Sequence, residues 1–96
     1  MKIEINTTGE TLSLSLEGRL DTTTAPELEG AISNNLGSAS AIVIDCKNLT
    51  YVSSAGLRVL LSTHKKMKGA LKLVGVCELV MEVFEMTGFA DIFVIE

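Results

Sequence analysis

The order of periodic segments in these 96 residues predicts a single α/β domain: a mostly parallel sheet, β-β-α-β-α-β-α-β, with its helices on one face. Three observations carry that prediction. Leu12, Leu14 and Leu16 alternate with Ser13, Ser15 and Glu17, the period of a strand covered on one side only. Ala41-Ile42-Val43-Ile44-Asp45 is a short, continuous apolar run, as expected of a central parallel strand. Between such runs lie segments of helical period, the crossovers that parallel strands need. If strands are added in sequence order, right-handed crossovers bring every helix to the same face.

In chain order, Ile3 and Ile5 alternate with Lys2 and Glu4, and Thr8-Gly9-Glu10 interrupts before Leu12, which is a hairpin pattern. The first helix is expected to open at Thr24 as N-cap, with Glu27 as its capping-box partner and Pro26 in the first turn. Leu28, Ala31, Ile32 and Leu36 form its apolar stripe, and Asn34-Asn35 with Gly37-Ser38 bring it to an end. Gly30 inside it costs up to ~1 kcal/mol in propensity, and close packing on the sheet is the expected return. Residues 46–53 read as a loop whose Leu49, Tyr51 and Val52 tuck back onto the core. A second helix follows, with Leu57, Leu60, Leu61 and Met67 on one face, Arg58, Lys65 and Lys68 away from it, and Gly69 as its stop. Residues 71–76 read as a strand. Residues 78–87 read as a helix with Leu79, Val80, Val83 and Phe84 on its stripe, and Ile92-Phe93-Val94-Ile95 as the last strand.

Composition narrows the function. With 47% apolar and 21% charged residues the chain is globular. A net charge of −4 without a block of like charge argues against nucleic acid as the main partner, because neutralising phosphates needs clustered Lys and Arg. The basic stretch His64-Lys65-Lys66-Met67-Lys68 falls where a helix should end and complements its dipole. Cys46 and Cys77 form no CxxC and have one His for company, so no zinc site is expected, and both read as free thiols of a reducing compartment. No signal-peptide core follows Met1-Lys2, and no apolar run approaches the roughly 20 residues of a spanning helix. A cytoplasmic protein without membrane insertion or cofactors is expected, as a monomer or weak dimer.

In a parallel sheet the C-terminal ends of the strands and the N-termini of the helices share one edge, and Asp21, Asp45, Ser53, Ser54 and Cys77 are expected along it. Two serines open the second helix, yet one cap requires only one. The other hydroxyl is then free at a helix N-terminus, where the charge of an added phosphate is tolerated. Hydrolase chemistry fails: the residue two before Ser54 is Val52, not the glycine of a nucleophile elbow. The single His, His64, stands ten residues along the same helix, about 15 Å away in rise. Asp21 and Asp45 alone make a weak cation site, and neither GxGxxG nor GxxxxGK[ST] is present for a nucleotide.

The stretch Leu49-Thr50-Tyr51-Val52-Ser53-Ser54-Ala55-Gly56-Leu57 resembles the D-S-[SA]-G-L segment of the STAS-domain family, in particular the anti-sigma factor antagonists of bacterial partner-switching systems. Ser54 falls on the phosphoacceptor serine and Gly56-Leu57 on the Gly-Leu pair. Gly18-Arg19-Leu20-Asp21, followed by Ala25 and Leu28, is similar to the family's G-x-[LI]-D segment, and Phe84-Glu85-Met86-Thr87-Gly88-Phe89 to its stretch after the fourth strand. The resemblance implies a STAS-like domain that binds an anti-sigma factor, itself a serine kinase, and so releases a sigma factor. Phosphorylation of Ser54 would break that contact, helped by the charges of Asp21 and Asp45, and a PP2C-type phosphatase would restore it. The implied partner surface is Asp21, Thr22, Asp45, Ser53, Ser54, Ala55, Gly56, Leu57 and Arg58. Ser53 stands where the family usually has Asp, which leaves it as an alternative acceptor. Two other readings stay open: a non-phosphorylated STAS scaffold subunit of a lipid-transport or sensory assembly, in which the serines only cap, and a small nucleotide-binding protein.

Overall fold

A computed structural model describes residues 1–96. Its elements are β1 (Lys2–Thr8), β2 (Thr11–Leu20), α1 (Ala25–Asn35), β3 (Ala41–Val52), α2 (Ser54–Lys66), β4 (Leu71–Val74), α3 (Glu78–Thr87), a 3-10 turn (Phe89–Asp91) and β5 (Val94–Ile95). The strands lie in sequence order; β1 and β2 are antiparallel and every other pair is parallel.

The alternation read in β2 is the alternation of the sheet. Leu12, Leu14 and Leu16 are buried, and so are Ile42 and Ile44 of β3 and Leu71 and Leu73 of β4. Their neighbours Ser15 and Glu17 are exposed, and Val43, Asp45, Lys72 and Val74 only half-buried, so one face of the sheet is covered. Leu28 and Ile32 of α1, Leu57 and Leu60 of α2, and Val80 and Phe84 of α3 complete one core with the covered face. Each such side chain, fully buried, contributes about 1.5–3 kcal/mol.

The residues expected to form a loop after Asp45 instead extend β3 to twelve residues. Between the pairs Ser15↔Asp45 and Leu20↔Val52 the register shifts twice, and the extra residues of β3 bulge out. A bulge breaks the two-residue period, which is why Lys47-Asn48 looks like the end of a strand. Leu49 and Val52 are buried as expected, but Tyr51 is 39% exposed, with the Arg19 guanidinium 4.1 Å above its ring.

Four local expectations give way to the structure. Thr24 stands at the N-cap of α1 without a side-chain cap bond, so the capping box with Glu27 does not form. Leu79 is 67% exposed, because only Val80 and Phe84 of α3 face the core squarely. The last strand shrinks to Val94–Ile95, since Ile92, at φ −98° and ψ −48°, closes the 3-10 turn and the N–H groups of Ile92 and Phe93 both donate back to the Phe89 carbonyl at 3.0 Å. Phe93 nonetheless anchors that end in the core, edge-on to Phe84 at 5.5 Å and stacked on Phe89 at 5.4 Å.

The fourth concerns Gly30. A Cβ built there meets nothing within 4 Å, so no close packing explains it. Gly30→Ala is expected to stabilise the domain by about 0.5–1 kcal/mol, the helix-propensity difference, read as a higher urea midpoint at unchanged slope.

Candidate functional site

The end of β3 sets the position of α2. Val52 is buried, and the Ser53 N–H donates to the Leu20 carbonyl at 2.8 Å, holding this end of the chain against β2. Ser53 is still extended, with φ −100° and ψ 175°, and its Oγ accepts from the Gly56 N–H at 3.4 Å. Its carbonyl takes the first intrahelical bond, from the Leu57 N–H at 2.9 Å. Ser53 is therefore the N-cap. Ser54, the first residue of the helix, is exposed, and its hydroxyl is left out of the capping bonds.

The next residues explain how α2 comes so close to β2. A Cβ on Gly56 would lie 2.6 Å from Leu20 Cγ and 3.0 Å from the Leu20 carbonyl oxygen, so only hydrogen fits. Ala55 is half-buried, Leu57 is buried and Arg58 is exposed.

Beside this loop runs the turn from β2 to α1. The Asp21 carboxylate accepts from the N–H groups of Thr23 at 3.0 Å and Thr24 at 3.1 Å, so the Thr24 N–H that a capping box would give to the Glu27 side chain is already taken. The Thr24 hydroxyl donates to the Arg19 carbonyl at 2.6 Å and accepts from the Asp21 N–H at 2.8 Å. The Thr24 N–H, above all, holds the Asp21 carboxyl below its ordinary value of 3.8; partial burial opposes this, while the Thr24 hydroxyl, the Thr23 N–H and Arg19 add to it. A carboxyl lowered in the folded state stabilises above its unfolded pKa, and that contribution is lost as pH falls through the folded one. Asp21→Asn is therefore expected to flatten the acid limb of the stability curve below about pH 4, measured by urea unfolding from pH 2 to 6.

Between the two helix starts opens a groove of about 420 Å³, lined on one side by Thr22, Ala25, Pro26 and Glu29 and on the other by Ala55, Arg58, Val59 and Ser62. Thr22 of the turn and Ala55 of the first turn of α2 thus belong to its two walls.

The family model described as STAS domain matches residues 2–96. The chain belongs to the STAS domain family. The Bordetella bronchiseptica protein BtrV, provisionally named an anti-sigma factor antagonist, is 34% identical over 97% of this chain and 84% of its own. The anti-sigma-B factor antagonist of Bacillus subtilis is 26% identical over 96% of this chain and 87% of its own. Among solved structures, that of an anti-sigma factor antagonist from Mycobacterium paratuberculosis superposes with a TM-score of 0.86 at 26% identity, over 98% of this chain and 83% of the other.

This STAS domain brings most of the sequence-named residues together. Asp21, Thr22, Ser53, Ser54, Ala55, Gly56, Leu57 and Arg58 lie on the two adjoining helix starts. Asp45 does not join them. It pairs with Ser15 and Val74, seven residues before Val52 on the same strand and so about 20 Å away. The expected common edge is stepped: β4 ends level with Asp45, whereas β3 runs on beside β2 alone. Asp45 instead accepts from the Lys47 N–H at 2.9 Å.

The two cysteines of the STAS domain are free, and Cys46 lies within β3 rather than after it. Burial first, then the charges of Asp45 and Cys77, push its thiol up to about 12, which leaves no thiolate for chemistry at neutral pH. The Cys77 thiol donates to the Leu49 carbonyl at 3.4 Å. His64 packs edge-on to Phe93 at 5.8 Å, at the far end of α2 from Ser54. No helix is long and apolar enough to cross a membrane. Glu29, Val59 and Ser62 escaped the sequence reading, and Pro26 entered it only as a helix-start residue, because a groove wall is defined by which helices are neighbours and no motif marks it.

Proposed function

We propose that this STAS domain is an anti-sigma factor antagonist: a binding protein, not a catalyst, whose hold on an anti-sigma factor is switched by phosphorylation of Ser54. One observation carries the reading, the division of labour between the two serines. Ser53 is half-buried and spends its oxygen on the helix cap, while Ser54 is exposed with its oxygen uncommitted. Ser54 is therefore the acceptor, and Ser53 is not the alternative. The names of relatives 34% and 26% identical over nearly the whole chain support the partner class.

Unmodified, the start of α2 and the adjoining turn dock on the anti-sigma factor and displace the sigma factor it holds. The anti-sigma factor, acting as a serine kinase, transfers the γ-phosphoryl of ATP to Ser54 Oγ; the hydroxyl proton leaves and ADP is released. The product carries about −1.5 to −2 charge in place of a neutral hydroxyl. In the free domain the helix N-terminus and water solvate it. In the complex it would have to be desolvated beside the carboxylate of Asp21, and the complex dissociates. Asp45, about 20 Å away, has no part in the repulsion. A PP2C-type phosphatase hydrolyses the ester and resets the surface.

Titration of the cognate anti-sigma factor with unmodified and Ser54-phosphorylated domain tests the switch. The phosphorylated form is expected to bind about 100-fold more weakly, a difference of about 2.7 kcal/mol. Equal affinities would reduce Ser54 to a helix residue.

A further inference from the structure

We infer that Arg58 is an internal clamp for the phosphorylated loop: its guanidinium pairs with a phosphoryl group on Ser54 and, in doing so, leaves the groove between α1 and α2. The inference rests on Ser54 being the acceptor. Residues four apart on a helix are neighbours, with Cβ atoms about 6 Å from each other. Long helical side chains lean toward the N-terminus, so Arg58 lies over the turn that Ser54 begins. Both residues are exposed, and Arg58 lines the groove beside Ala55, the residue next to Ser54.

Arg58 is also uncommitted. The ion pairs of the chain use Lys2, Arg19 and Lys72 as their cations. Glu29 faces Arg58 across the groove but forms no ion pair with it. The other charges near the loop are engaged: Asp21 accepts from Thr23 and Thr24, and Arg19 lies over Tyr51 and 3.9 Å from Asp21. Lys65 and Lys66 lie three turns further along α2, about 16 Å in rise from Ser54. Arg58 is thus the free cation within reach, and its planar fork matches two phosphoryl oxygens at once.

The consequence reaches beyond the loop. In the unmodified domain the groove holds Arg58 opposite Glu29 and is close to neutral. With Arg58 drawn to the phosphoryl group, Glu29 remains as its only charge. A partner seated in the groove meets an acidic wall as well as the phosphate.

The test uses full-length protein with phosphoserine inserted at position 54 during translation, so that no kinase is involved. The phosphorus NMR shift is followed against pH for the otherwise wild-type chain and for Arg58→Gln, Arg58→Lys and Lys65→Gln. Arg58 is exposed, so these changes leave the core intact. The wild-type midpoint is expected about half a unit below that of Arg58→Gln, with Arg58→Lys between them and Lys65→Gln unchanged. An Arg58→Gln midpoint equal to wild type overturns the clamp, and so does an equal shift from Lys65→Gln, which would make the effect one of net charge. A domain that no kinase modifies at Ser54 would instead refute the acceptor reading, and the titration would be unaffected.

Discussion

Ser54→Asp is expected to weaken binding to the anti-sigma factor by about 10-fold or more, roughly 1.4 kcal/mol, while Ser54→Ala stays within about threefold of wild type. The two substitutions separate charge from shape. Alanine removes a hydroxyl that makes no capping bond, so the domain loses little. Aspartate places a negative charge where the phosphoryl group would sit, though with about half its charge and fewer acceptor oxygens. At the first position of a helix that charge is favourable to the free domain by about 0.3–1 kcal/mol. The aspartate variant is therefore expected to be slightly more stable to urea and yet the weaker binder. Equal affinity for both variants would favour a scaffold in which the serines do no more than begin a helix.

Gly56→Ala is expected to destabilise the domain by about 1–2 kcal/mol, although alanine is the better helix former by about 1 kcal/mol. The added Cβ would lie 2.6 Å from Leu20 Cγ and 2.9 Å from Leu20 Cδ2. Leu20 is fully buried and cannot swing aside, and its carbonyl oxygen, 3.0 Å from the same Cβ, is held by the Ser53 N–H. The relief left is an outward shift of α2, which would carry Ser54 and Arg58 with it. Affinity for the partner is then expected to fall together with stability. Gly30→Ala is the internal control: the same exchange, also within a helix, but with open space around the new methyl group and the opposite sign expected. Urea midpoints of the two variants test both statements. A Gly56→Ala protein as stable as wild type would mean that helix and strand do not meet as closely as described.

Much of this was legible in the sequence because it rests on period. Leucines alternating with serines in β2 announce a sheet covered on one face, and strands added in sequence order by right-handed crossovers bring every helix to that face. The spare serine was legible too, since capping needs one oxygen and the sequence offers two. Where period fails, reading fails. The bulges of β3 made its second half look like a loop, and that error moved Asp45 to an edge it does not occupy. Thr24 followed by Glu27 fits a capping box, but Asp21 three residues earlier takes the Thr24 N–H and the Thr24 hydroxyl is spent on the Arg19 carbonyl, an outcome that depends on how β2 delivers the chain. The groove, and with it the freedom of Arg58, belongs to the pairing of α1 with α2, for which no local pattern exists.

The claim on which the rest depends is that Ser53 is the cap and Ser54 the acceptor. Incubation with the cognate kinase and ATP, followed by tandem mass spectrometry of the peptide that carries both serines, tests it most directly. One phosphoryl group on Ser54, absent in Ser54→Ala and retained in Ser53→Ala, is the predicted result. A phosphoryl group on Ser53, or none on either serine, would contradict it.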